Sequence, residues 1–160
     1  MSDLLEDQYL TLTLGEGRYA IPVSRVREVL EPTRITPLPG AAPYFKGIID
    51  IRGCGVPVLD LRMRFGMPEV EVSEATAIVV VENEAEDSTK LVGLLTDAVH
   101  EVIRFDSDSL DAAPRFGSEL SGDYIEGIGK QDGAFVLVLR LDNILGAEIP
   151  VPVQESDAPA

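Results

Sequence analysis

The sequence predicts a mainly β fold: two similar, pseudo-symmetric units of about five short strands each, closed as small barrels and packed together, with a few short helices. Three observations carry this. Apolar and polar residues alternate with period two in short runs such as Tyr9–Leu14. Gly-rich turns separate the runs. The third is an internal repeat. Tyr44-Phe45-Lys46-Gly47-Ile48 returns eighty residues on as Tyr124-Ile125-Glu126-Gly127-Ile128. Without a gap, Gly53, Val56, Val58, Leu59, Leu61 and Gly66 then meet Gly133, Val136, Val138, Leu139, Leu141 and Gly146. That is nine identities in twenty-three positions, where average residue usage gives roughly one or two. Upstream the shift changes: Val26-Arg27-Glu28-Val29 matches Val99-His100-Glu101-Val102, seventy-three residues on. One sandwich whose sheets resemble each other by chance is the plainer alternative.

The elements follow in order. Tyr9–Leu14 alternates as a half-buried strand, and Gly15-Glu16-Gly17 turns it into a second strand, Arg18–Val23. Ser24 is placed to cap a short helix reaching Leu30, with Val26, Val29 and Leu30 at helical spacing. Glu31–Pro43 holds four prolines and reads as an extended connection. Gly47–Arg52 and Val56–Asp60 read as a hairpin, followed by one helical turn over Leu61–Phe65. In the second half, Ala75–Val81 and Leu91–Thr96 are strands around a polar loop, Glu82–Lys90. Val99–Phe105 is open between strand and helix, and Asp106–Gly122 reads as a loop with a short helix. Tyr124–Lys130 and Ala134–Leu139 form the second hairpin, and Leu141–Leu145 a last helical turn ended by Gly146.

Composition narrows function. Apolar residues make up 45% of the 160, a globular content. The net charge of -15 argues against nucleic acid and against an anionic membrane surface, both of which need clustered Lys and Arg. The single cysteine, Cys54, excludes an intrachain disulfide and fits a reducing compartment. The acidic start MSDLLEDQ does not resemble a signal peptide, and no apolar run nears the ~18 residues of a membrane span. The expectation is a cytoplasmic protein. One His and one Cys leave no His-rich or Cys-rich metal site, and phosphate-loop, GxSxG and HExxH motifs are missing. No cofactor and no catalytic residues are expected. A small enzyme built on paired carboxylates remains the rival class. The remaining signal is Asp50 and Arg52, two apart in a strand and so expected on one face. They form either a surface ion pair worth ~0.2–1 kcal/mol or part of a docking surface. Their counterparts Lys130 and Asp132 reverse the sign order.

The order of YLTLTLGEGRYAIPVSRVREV, TPLPGAAPYFKGIIDIRG, VPVLDLR, LVGLLTDAVHEVI and YIEGIGKQDGAFVLVLRLDNIL resembles the CheW family of bacterial chemotaxis coupling proteins, over Gln8–Leu145. The resemblance implies barrels of the Src-homology-3 type within one domain over 8–146, with units of roughly 8–70 and 71–146, strand exchange between them, and flexible tails at 1–7 and 150–160. It implies a non-enzymatic adaptor joining the regulatory domain of a CheA-type histidine kinase to the cytoplasmic tip of methyl-accepting chemoreceptors. A coupler serving another output, twitching or a second messenger, is the alternative. Where the family has Asn-Leu-Arg-Gly, this chain has Asp50-Ile51-Arg52-Gly53. The resemblance gives Arg52 a role in coupling to the receptor. It places Val26, Ile78, Val99 and Val102 along the receptor groove, and Glu28, Val29, Gly53 and Val56 at the kinase contact.

Overall fold

A computed structural model describes residues 8–85, 88–105, 110–111 and 124–145. Ten strands form two five-stranded sheets. The first half of the chain supplies β1 (Gln8–Leu14), β2 (Gly17–Pro22), β3 (Val26–Leu30), β4 (Phe45–Ile51), β5 (Cys54–Asp60) and the short helix α1 (Leu61–Arg64). The second half supplies β6 (Ala77–Ala85), β7 (Ser88–Thr96), β8 (Ala98–Arg104), β9 (Ile125–Gln131), β10 (Ala134–Leu139) and α2 (Leu141–Leu145).

The halves exchange their first hairpins. One sheet runs β8-β1-β2-β10-β9, the other β3-β6-β7-β5-β4. Position for position the sheets are the same object, with β1-β2 standing in one where β6-β7 stands in the other. The same contacts recur at the shifts the sequence shows. β10 pairs β2 in parallel, as β5 pairs β7. The Tyr44 carbonyl accepts from the Asp60 N–H at 2.7 Å, and the Tyr124 carbonyl from the Arg140 N–H at 2.8 Å. Units 8–70 and 71–146 are therefore lengths of chain, and each sheet takes strands from both.

The sheets are not closed by a continuous ladder, because no strand pairing joins β8 to β9 or β3 to β4 among the described residues. Instead, chain continuing from one edge strand bridges the other edge. Thr36 and Ile48 exchange two backbone hydrogen bonds of 2.8 Å, and Asp111 and Ile128 exchange bonds of 3.0 and 2.8 Å. The repeated glycines make room for this. A Cβ on Gly47, at φ +142, would lie 2.0 Å from the Thr36 carbonyl oxygen, and one on Gly127 would lie 3.1 Å from that of Asp111.

Each sheet covers a small core of its own: Tyr9, Ala20, Ile103, Phe105, Val136 and Val138 in one, Ile49, Ile51, Val56, Val58, Ile78 and Val80 in the other. The largest core lies between them. Leu10, Leu12, Leu14 and Ile21 of one sheet meet Val79, Val81, Val92 and Leu94 of the other, with Leu61, Leu141, Ile144 and Leu145 from the helices. Burial of these large side chains, at ~1.5–3 kcal/mol each, makes the joint between the sheets the main source of cohesion.

Two local expectations give way. Ser24–Leu30 is no helix: a 3-10 turn over Val23–Arg25 leads into strand β3, where β-branched Val26 and Val29 pair with β6. Glu82–Lys90 is no plain loop: β6 and β7 stay paired out to Ala85 and Ser88, so these residues extend the β6–β7 hairpin. Val99–Phe105, left open, is strand β8 through Arg104. The expected short helix after Asp106, the stop at Gly146 and both tails lie outside the described residues.

Candidate docking surface

The repeated VREV and VHEV are the two bulged edge strands, β3 and β8. In β3 the partners step from Val26↔Val81 to Glu28↔Val80, leaving Arg27 as the extra residue. In β8 the partners step from Leu12↔Val99 to Leu10↔Val102, so three residues of β8 span two of β1. Thr11 Oγ1 fills that gap by donating to the Glu101 carbonyl at 2.7 Å. A bulge at a sheet edge ends regular pairing and re-aims the side chains. Val26 and Val99, at equivalent positions, are half-buried against the shared core. Val29 and Val102, also equivalent, are 46% and 50% exposed.

The β4–β5 turn stands beside β3. Arg52 and Gly53 have φ of 51° and 86°, and Asp132 and Gly133 have 52° and 83°. Positive φ at both central residues of a two-residue hairpin is the type I′ pattern. The strand-face pairing of Asp50 with Arg52 is thereby overturned, because Arg52 lies in the turn, off the strand. Asp50 Oδ1 accepts from the Gly53 N–H at 2.8 Å and braces the turn. Arg52 reaches across to β3, where its Nη2 lies 3.0 Å from Glu28 Oε2. Residues expected at different partners are thus joined to each other. In the second half the corresponding positions, Asp132 and Glu101, are both acidic, and neither makes an ion pair among the described residues.

Two expected contact residues are core. Val56 and Ile78 have no exposure and pack together between the strands of their sheet. They offer nothing to a partner, because the alternation of β5 and β6 turns them inward. Arg52, Glu28, Val29 and Gly53 stand together at one edge, while Val99 and Val102 lie on β8 in the other sheet.

The sequence reading missed several anchors. Arg62 Nη1 lies 2.5 Å from Asp97 Oδ2, tying α1 to the chain just ahead of β8. Arg25 Nη1 lies 3.1 Å from Asp142 Oδ1, tying α2 to the chain just ahead of β3, with the signs reversed. Arg64 stands 4.6 and 5.1 Å from the ring centres of Tyr44 and Tyr124, the repeated tyrosines. The halves are thus pinned by paired but non-identical contacts, which a search for identities passes over. Phe135 is 65% exposed, hidden in the sequence by a wholly apolar strand.

Among the described residues no group of three or more His, Cys, Asp or Glu could hold a metal ion, and no helix is long and apolar enough to cross a membrane.

The family model described as CheW-like domain matches residues 8–148. The chain belongs to the CheW family. It is 30% identical to the chemotaxis protein CheW of Bacillus subtilis (strain 168) over 142 residues, covering 89% of this chain and 88% of that one. It is equally 30% identical to the chemotaxis protein CheW of Thermotoga maritima over 145 residues, covering 89% of each. Among solved structures, the scaffolding protein TtCheW from Thermoanaerobacter tengcongensis superposes with a TM-score of 0.79 at 30% identity, over 91% of this chain and 99% of that one. The CheW match spans both sheets and both bulged edges.

Proposed function

We propose that this protein is a non-enzymatic scaffold of chemotaxis-type signalling that couples chemoreceptors to a CheA-type histidine kinase on the cytoplasmic side of the array. Membership of the CheW family supports the general role, since relatives in Bacillus subtilis and Thermotoga maritima are named chemotaxis protein CheW and a solved relative is a scaffolding protein. One observation carries the reading to this chain: the same bulged edge occurs twice, with different charge. The β3 edge presents Arg52 paired to Glu28, and the β8 edge presents Val102 beside Glu101, which makes no ion pair among the described residues. A coupler needs two non-equivalent contacts, and duplication followed by charge divergence supplies them.

Glu28, Val29 and Gly53 form the kinase contact in this reading, with Arg52 at its rim conveying receptor control. Val102 is the exposed anchor for a receptor helix, with Val99 on the same strand and Val26 at the equivalent place on β3 half-buried against the shared core. The test is binding of each partner separately to variants whose melting temperature matches wild type. Val102→Asp is expected to weaken receptor binding and spare the kinase, and Val29→Asp to do the reverse. Equal loss of both partners in both variants refutes the assignment of the two edges.

A further inference from the structure

β2 and β10 run parallel but pair at only two positions, Leu137 with Tyr19 and Val138 with Ala20. Ahead of those pairs the strands part. A cleft of about 720 Å³ opens there between the β1–β2 and β9–β10 turns, within the ~300–1,000 Å³ of ordinary ligand sites. Gly17 and Arg18 pair only with β1, and Ala134 and Phe135 only with β9. Two unspent strand edges therefore face each other across the cleft, and alternate residues of each turn a backbone N–H and C=O towards it. In the cleft wall, Gln131 Oε1 is buried and accepts no hydrogen bond among the described residues. Glu16, Arg18 and Asp132 line the same cleft and make no ion pair among the described residues. Among the lining residues the two carboxylates outnumber the one guanidinium, while Lys130 stands outside the lining with its Nζ 5.7 Å from the Phe135 ring centre. The exposed Phe135 ring forms part of the lining.

We propose that this cleft binds an extended peptide segment of a partner protein that carries a basic side chain. The peptide backbone adds to the free strand edges, and an apolar residue lies along the exposed side of Phe135. Its basic side chain lies between Glu16 and Asp132. A small molecule leaves the facing edges unpaired, which is why an extended chain fits better. The site uses neither Arg52 nor Val102 and stands apart from the coupling role.

The test titrates the isotope-labelled full chain with the capped pentapeptide Val-Thr-Arg-Val-Thr, its counterpart with Glu for Arg, and a backbone N-methylated form. The amides of Gly17, Arg18, Ala134 and Phe135 are expected to shift saturably with the Arg peptide. The Glu and N-methylated peptides should bind more weakly. The double variant Glu16→Gln with Asp132→Asn, whose Asn tolerates the turn, should lose roughly three- to tenfold in affinity for the Arg peptide, as expected for two exposed charge pairs. No saturable shift at these amides, equal binding of the Arg and Glu peptides, or undiminished binding of the N-methylated form overturns the proposal.

Discussion

Arg52 shows how one residue's chemistry depends on its neighbours. It occupies a turn position that L-residues rarely adopt, at φ 51°, and its guanidinium is held by Glu28 while its side chain stays 73% exposed. An exposed pair of this kind is worth at most ~1 kcal/mol. Arg52→Ala should therefore shift the urea midpoint by no more than ~1 kcal/mol in stability, while lowering receptor control of the kinase. A large loss of stability in the variant contradicts this placement. Tyr19 gives a pH dependence. Burial raises its pKa above the ordinary 10.0, so the folded protein resists its ionisation. The sign follows: the unfolded chain loses this proton first, so stability is full below pH 10.0 and falls as pH rises beyond it. Denaturation midpoints measured from pH 9 to 11 should fall less steeply in Tyr19→Phe than in wild type.

At the scale of elements, the repeat was legible because it records geometry. Gly47 and Gly127 recur since each lies against a bridging strand, and Gly53 and Gly133 recur since each holds positive φ in a two-residue turn. The bulges of β3 and β8 explain VREV and VHEV, yet the same bulge misled the reading of β3. One extra residue breaks the period-two alternation and leaves apolar spacing that mimics a helical turn. The partner strand β6, fifty residues away, decides the outcome, and no local pattern shows it. The asymmetry between the two glycines gives a prediction. Gly47→Ala should cost about 2–4 kcal/mol, because its Cβ meets a backbone carbonyl at 2.0 Å and its φ is unfavourable. Gly127→Ala, with 3.1 Å of clearance, should cost clearly less. Thermal unfolding of the two variants ranks them.

For the whole molecule, the internal repeat showed two units, while the exchange of hairpins between them was expected only through the family resemblance, because exchange alters which copy a strand pairs with and leaves every strand's own pattern unchanged. Reading the candidate site from the sequence reached surface positions at Val29, Arg52 and Val102. It failed at Val56 and Ile78, where an apolar strand residue does not declare which face it takes. Exchange has a physical consequence. Residues 69–75 join the halves and are all exposed, yet β1-β2 stays paired with β8-β10 whatever becomes of that linker. A chain cut at a protease site placed there should still elute as one particle under native conditions and separate only in denaturant. Two fragments eluting apart contradict the exchange. The central claim is that this exchanged double unit is a coupler with two different contact edges. It is tested most directly by the autophosphorylation rate of the cognate CheA-type kinase, mixed with receptor cytoplasmic fragments and increasing amounts of this protein. The rate should rise with its concentration, saturate, and respond to receptor state, with Arg52→Ala folded but deficient. A rate independent of the protein at every concentration contradicts it.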